Sequence, residues 1–243
     1  MSIIVDIYNP NTNPKLLLKP GTYEVLVFRN RSDDSPYLEW LDTRDWKMQE
    51  RILARVARMK FGQFGDCKAL EGGIYELRLF FGPGYRVYFG QHKGKMILLL
   101  AGGRQINAKP GHQKSQRILE NLSGGPPMKT EHKSKAIPLD QIRLERFKDP
   151  KKANYAVKLA LEEFEKDNDV DALLDTLRLA AQAQGGIASL SRKTTVSRQA
   201  LHEALSPKGN PRLRTFQSVL SSLGFQMSFK PLRSTMRKAA ALA

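Results

Sequence analysis

The chain has 243 residues, room for one large domain or two of ordinary size. Hydrophobic residues make up 41% and charged residues 26%, which excludes disorder throughout, and 40 Lys+Arg against 24 Asp+Glu leave a net charge of +16. The excess is not one tail: residues 1–122 carry 19 basic and 12 acidic side chains, residues 123–243 carry 21 and 12. Such a surface attracts polyanions, nucleic acid first among them. The single Cys67 excludes an internal disulfide and a cysteine-based zinc site. His92, His112, His132 and His202 lack metal-ligand spacing, so neither metal nor cofactor is expected. No apolar run approaches the roughly 18 residues of a membrane span, and "MSIIVDIYNPN" lacks a basic start and a long apolar stretch. A soluble cytoplasmic protein with no membrane partner is expected.

In chain order, residues 3–8 and "TYEVLVFR" (22–29) are short, β-rich segments separated by a loop. In "SPYLEWLDTRDWKMQERILARVARMKFG", Leu38, Leu41, Met48, Ile52, Val56 and Met59 recur at helical spacing, predicting two amphipathic helices broken near Thr43. Arg51, Arg55 and Arg58 form a stripe at i, i+4 and i+7; a solvated face explains such a stripe more often than a binding site does. The period then shortens to two. "GIYELRLFFGPGYRVYFGQHKGKMILLLAGG" holds strand-like runs Ile74–Phe81, Tyr85–Gln91 and Met96–Ala101 joined by Gly-containing turns. No helix follows Gly82 and Gly84, so they read as hairpin glycines and not as a phosphate loop. Alternation puts Glu76 with Arg78 on one face and Arg86 with Tyr88 on one face. A twisted antiparallel sheet with the helix pair on one side would expose these cations and the aromatic on the other.

"FGDCKALEGGIYELRLFFGPGYRVYF" with "ILLLAGGR" resembles the RelE/HigB-type toxins of bacterial toxin–antitoxin modules, in the phage-type "addiction module killer" branch. The resemblance covers most of residues 22–120. It implies a small microbial-ribonuclease-like domain that cleaves messenger RNA in the ribosomal A site. On that pattern Arg78, Arg86 and Arg104 would contact phosphate, with Lys68 nearby and Tyr85 or Tyr88 stacking on a base or sharing proton transfer. Guanidinium forks suit the charge that builds on a pentacoordinate phosphate. Relatives continue after the Gly-Gly pair with an Asp-Lys-Ser/Thr-Gln-like segment, whereas "GGRQINAKPGHQKSQ" stands here, with Arg104 in place of the lysine. Relatives of the fold include gyrase inhibitors, so the target stays open between ribosome and gyrase.

"SGGPP" (123–127) then precedes Met128 and a lysine-rich stretch resembling a fresh N-terminus. "FKDPKKANYAVKLALEEFEKDNDVDALLDTLRLAAQAQGG" reads as two helices: Asp149-Pro150 opens the first, Asn168 or Asp169 caps the second, and Gly185-Gly186 stops it. In "GIASLSRKTTVSRQALHEALSPKGNPRLRTFQSVLSSLG", Ile187 and Leu190 precede a turn at Lys193–Thr195, and Ser197 caps a helix whose inner face is Ala200, Leu201 and Leu205. That is helix–turn–helix spacing. Arg198, Gln199 and His202 point outward where a recognition helix meets base edges, flanked by Arg192, Lys193, Thr195, Ser197 and Lys208. "SRQALHEALSPKGNPRLRTFQSVLSSLGFQMSF" resembles the HigA-type antitoxins, over about Leu139 to Leu232.

Each half thus resembles the other's usual partner. The expected architecture is α+β: a RelE/HigB-like toxin domain (1–122), a Gly/Pro/Lys-rich linker (123–138), and an all-α HigA-like helix–turn–helix domain (139–243). The resemblance implies messenger RNA and the ribosome as partners of the first half, operator DNA as partner of the second, and a homodimer on a palindromic operator. A DNA-binding regulator with a decayed toxin half remains an alternative. The acidic run "LEEFEKDNDVDALLD" (161–175) breaks the basic pattern. Capping needs one or two of its acids. Glu162, Glu163, Glu165 and Asp169 are therefore expected to dock on toxin cations such as Arg51, Arg55, Arg78 or Arg86.

Overall fold

The computed structural model describes residues 22–30, 32–70, 74–92, 96–104, 113, 135–207 and 209–228. The predicted strand at 3–8, the Ser123–Pro127 stretch, Met128 and Lys208 lie outside the described residues.

Strand β1 (Glu24–Arg29) leads to helices α1 (Pro36–Asp42) and α2 (Trp46–Ala57), the latter ending in a 3-10 turn, Arg58–Phe61. The break expected near Thr43 is there because Ser35 and Asp45 each cap a helix, accepting from Leu38 N and Met48 N. Next come β2 (Cys67–Ala69), β3 (Ile74–Leu79), β4 (Tyr85–His92) and β5 (Met96–Arg104). The strand order is β2-β3-β4-β5-β1-β6, where β6 is Lys135–Pro138. β1 runs parallel to β5, so the sheet is mixed and not antiparallel throughout. The helix pair carries the chain from β1 across one face to the far edge, and the returning meander brings β5 back alongside β1 in the same direction. Two strands are unexpected: β2, and β6 from the stretch read as linker, which pairs antiparallel with β1 and sets Ile137 opposite Val27.

Alternation sorts the sheet into two faces. Val25, Val27, Tyr75, Leu77, Leu79, Val87 and Phe89 are buried with Tyr37, Leu41, Ile52, Leu53 and Val56 of α1 and α2 in the main core. Leu26, Phe28, Ile74, Tyr88, Leu100 and Ala101 form a second cluster, on the opposite face. Gly102 on the helix side is needed for close approach: a Cβ there would stand 2.0 Å from the Trp40 ring.

After β6 the described residues up to 228 hold only helices: α3 (Leu139–Arg146), α4 (Pro150–Asp167), α5 (Val170–Ala183), α6 (Gly186–Thr194), α7 (Arg198–Ala204) and α8 (Leu213–Ser222). Asp149 and Pro150 open α4 as expected, left-handed Asn168 (φ 56°) closes it, and Asp169 caps α5. These helices enclose a separate core built on Val157, Leu173, Leu174, Leu177, Leu190, Leu201 and Leu220. No helix among the described residues is long and apolar enough to cross a membrane.

Candidate functional site

Cross-strand register gathers most of the sequence-predicted toxin residues. Lys68 stands opposite Glu76, Glu76 opposite Tyr88, and Arg78 opposite Arg86, all on the face away from α1 and α2. Glu76 is the hub. Its Oε1 accepts from Arg78 Nε at 3.0 Å and lies 3.5 Å from Arg86 Nε, and Tyr88 is hydrogen-bonded to it. Glu76 carries no role in the sequence-based expectation, although its i, i+2 spacing from Arg78 puts the two on one face.

The exposure of this face differs from expectation. Lys68 is exposed and Arg78 about one-third so, but Arg86 is 8% and Tyr88 0% exposed. β4 is flanked on both sides, so its side chains are walled in by those of β3 and β5. Burial, reinforced by the Glu76 charge, pushes the Tyr88 phenol well above its ordinary value, so it keeps its proton. Arg104 ends β5 opposite Tyr85; only its backbone is among the described residues. Burial also pushes the Cys67 thiol up to about 12, the behaviour of a bystander.

A second constellation joins the two halves. Arg58 reaches the acidic end of α4, pairing with Glu163 at 3.2 Å, with Asp167, and with Asp169 at 3.5 Å. Lys60 Nζ lies 2.6 Å from Asp140 and 2.8 Å from Asp175. In return Arg146 of α3 donates to Glu50 at 2.7 Å and Gln49 at 2.5 Å. Trp46 of α2 meets Tyr155 of α4 edge-on at 5.4 Å. The acidic segment does face first-half cations, but these are Arg58 and Lys60. The 3-10 turn after α2 carries both to where α4 ends and α5 begins, whereas Arg86 is held in the sheet by Glu76. Of the expected docking acids, Glu163 and Asp169 contact Arg58. Glu162 pairs with Lys158 of its own helix, and Glu165 is exposed with no cation partner among the described residues.

Three carboxylates here have displaced proton affinities, among them Asp167, which burial would raise but Arg58 and the Asp169 amide hold below its ordinary value. Burial alone would raise Asp175, but Arg143 and Lys60 hold it far below the usual carboxylate range. Burial raises Glu50, 1% exposed, despite the opposing pull of Arg146.

The third feature is the α6–α7 pair. Left-handed Thr195 (φ 58°) makes the turn, which begins after Thr194 and so slightly later than expected. Ser197 accepts from Ala200 N at 3.2 Å, capping α7. Leu190, Leu201 and Leu205 are buried, while Arg192, Lys193, Thr195, Ser197, Arg198, Gln199 and His202 are exposed. Gln199 donates to Glu203 at 3.1 Å across one turn. Gly209 closes the motif: a Cβ there would stand 2.3 Å from the Ala204 carbonyl oxygen.

Residues 148–231 match the model of a family described as probable addiction module antidote protein. Over 84 residues the chain is 43% identical to an uncharacterized protein of Haemophilus influenzae, a span covering 34% of this chain and 85% of that protein. No solved structure matches the chain. The matched stretch contains α4 to α8, with both the acidic docking end and the α6–α7 pair. Through these residues the chain belongs to the addiction module antidote family, whose members act beside a toxin partner.

Proposed function

We propose that the chain is a toxin–antitoxin fusion, in which a RelE/HigB-type messenger-RNA endoribonuclease is held inactive by its own HigA-type, operator-binding antitoxin. The observation that carries this reading is the antidote-family segment docked, through Glu163, Asp167 and Asp175, on Arg58 and Lys60 of the first half. An antitoxin docked within its own chain needs its toxin there too, and the resemblance of residues 22–120 supplies one. On the ribosome, Lys68, Arg78, Arg86 and Arg104 would neutralise the reacting phosphate. Tyr88, held neutral, would serve as a hydrogen-bond donor.

The α6–α7 pair is the proposed operator reader. Its exposed Arg198, Gln199 and His202 would meet base edges, with Arg192, Lys193 and Lys208 near phosphates. A palindromic operator would seat two copies of the chain.

A second reading, a DNA-binding regulator with a decayed toxin half, is favoured by the burial of Arg86 and Tyr88. One experiment separates them. Residues 1–122 are expressed alone, beside the full chain and beside residues 1–122 carrying Arg86→Ala. Growth arrest with transcript cleavage by the first alone is expected. Absence of arrest at equal expression would leave the regulator reading, and DNA damage without transcript cleavage would redirect the toxin to gyrase.

A further inference from the structure

Between α2 and α4, where the halves meet, lies a cavity of about 530 Å³, within the range of small-ligand sites. The Arg51, Arg55 and Arg58 stripe forms one wall, Tyr155 and Lys166 of α4 stand on another, and Arg78, Phe80 and Phe81 close a third. Among the described residues four carboxylates also face it, and each is already engaged. Asp66 lies 3.9 Å from Arg78, Glu162 pairs with Lys158, Glu163 with Arg58 and Lys166, and Asp169 with Arg58.

Two cations are left over. Among the described residues Arg51 touches no carboxylate and rests on the Phe81 ring at 4.5 Å. Among the described residues Arg55 forms no ion pair and donates to the carbonyls of Gln63 (3.0 Å) and Phe64 (2.6 Å), with the Glu163 charge acting on it from a distance. A guanidinium has five N–H donors, so both retain capacity for an anion. Glu163 holds the Lys166 ammonium above its ordinary value, while Arg51 opposes that shift by like-charge repulsion across the cavity. The walls also present aromatic surface: Phe80, 81% exposed, is the most exposed large apolar side chain among the described residues.

Guanidinium groups with donors to spare, beside an exposed ring, are what a phosphorylated planar ligand requires. We propose that this cavity binds a mononucleotide, its phosphates between Arg51 and Arg55 and its base against Phe80 and Phe81. Because both halves line the site, the ligand binds the docked form and stabilises it by mass action. The inference stands without the toxin–antitoxin reading, since it needs only the cavity.

The test is calorimetric titration of the full chain with ADP, inorganic pyrophosphate and adenosine. One saturable ADP site per chain is expected, tighter than pyrophosphate, with adenosine weakest. Arg51→Gln should weaken ADP and pyrophosphate alike by about tenfold or more. Phe80→Ala, at an exposed position that folding does not need, should weaken ADP and leave pyrophosphate unchanged. Lys148→Ala, in the exposed turn before α4, should change neither. No saturable heat at millimolar ADP would overturn the proposal, as would equal affinity in Arg51→Gln and the parent, or equal loss in Lys148→Ala. A single-stranded RNA that displaces ADP and binds more tightly through Arg51 would also overturn it, in favour of an RNA path.

Discussion

Asp175 is nearly buried and has three cations around it: Arg143 Nη1 at 2.7 Å, Arg178 Nη2 at 2.7 Å and Lys60 Nζ at 2.8 Å. Arg143 is itself 2% exposed and also donates to Thr176 at 3.0 Å. Asp175→Asn would leave that guanidinium buried with only the more distant Asp140 carboxylate, 3.5 Å away, as countercharge, a loss of about 3 kcal/mol in urea unfolding at neutral pH. The acid limb carries a sign of its own. A carboxylate depressed by folding contributes stability that is complete above its unfolded value, near 4, and is lost as pH falls through the folded value. The parent should therefore lose stability below about pH 4, and Asp175→Asn should show a shallower decline. Equal slopes would remove Asp175 from the acid response. Gly209→Ala tests another residue-level constraint, since the added Cβ would meet the Ala204 carbonyl oxygen and neither backbone can yield cheaply. A cost of about 1–3 kcal/mol is expected, read as a lower melting temperature.

At the scale of elements, the junction of α4 with the end of α2 is an ion-pair clasp around Arg58, whose side chain is only 12% exposed. Glu163→Lys with Asp167→Lys should open it, whereas Glu165→Lys should not. Trp46 reports the change: if it leaves Tyr155 for water, its emission shifts to the red. Adding Arg58→Glu to the double variant should restore the parent emission; no rescue would mean that the contact is held by something other than charge. On the proposed reading of α7, Gln199 would release Glu203 before reaching a base. Gln199→Ala should lower discrimination between operator and random DNA by about 1–3 kcal/mol. Lys193→Ala should weaken both alike and flatten the salt dependence. Unchanged discrimination in a Gln199→Ala titration would place the reading helix elsewhere.

At the scale of the molecule, two cores are coupled by a charged seam although both halves are net basic. Mean charge opposes docking, so the seam depends on local pairs that salt and charge reversal weaken. β6 adds a mechanical tie, because the strand leading directly into α3 is also the edge strand of the sheet. The parent should unfold in one calorimetric transition at low salt, and Glu163→Lys with Asp167→Lys should split it into two. A single transition in both would assign the coupling to β6, and Ile137→Asp, opposite Val27 in the sheet, would then be the variant that divides it.

Local patterns carried much of this in the sequence alone. The helix pair broken at Thr43, the three-strand meander, the Asp149-Pro150 start, the Asp169 and Ser197 caps and the buried Leu201 and Leu205 all follow from periodicity and capping, which act within a few residues. The acidic run was also legible as a surface in need of cations. Its partners were not, because the 3-10 turn that brings up Arg58 and Lys60 changes the helical phase on which the stripe was read. Tertiary structure alone decided the parallel β1–β5 pair, the capture of β6 from the linker, and the burial of Arg86 and Tyr88 behind Glu76. Each depends on residues far apart in the chain meeting across a sheet, and strand pairing of that kind leaves little trace in local hydrophobic spacing.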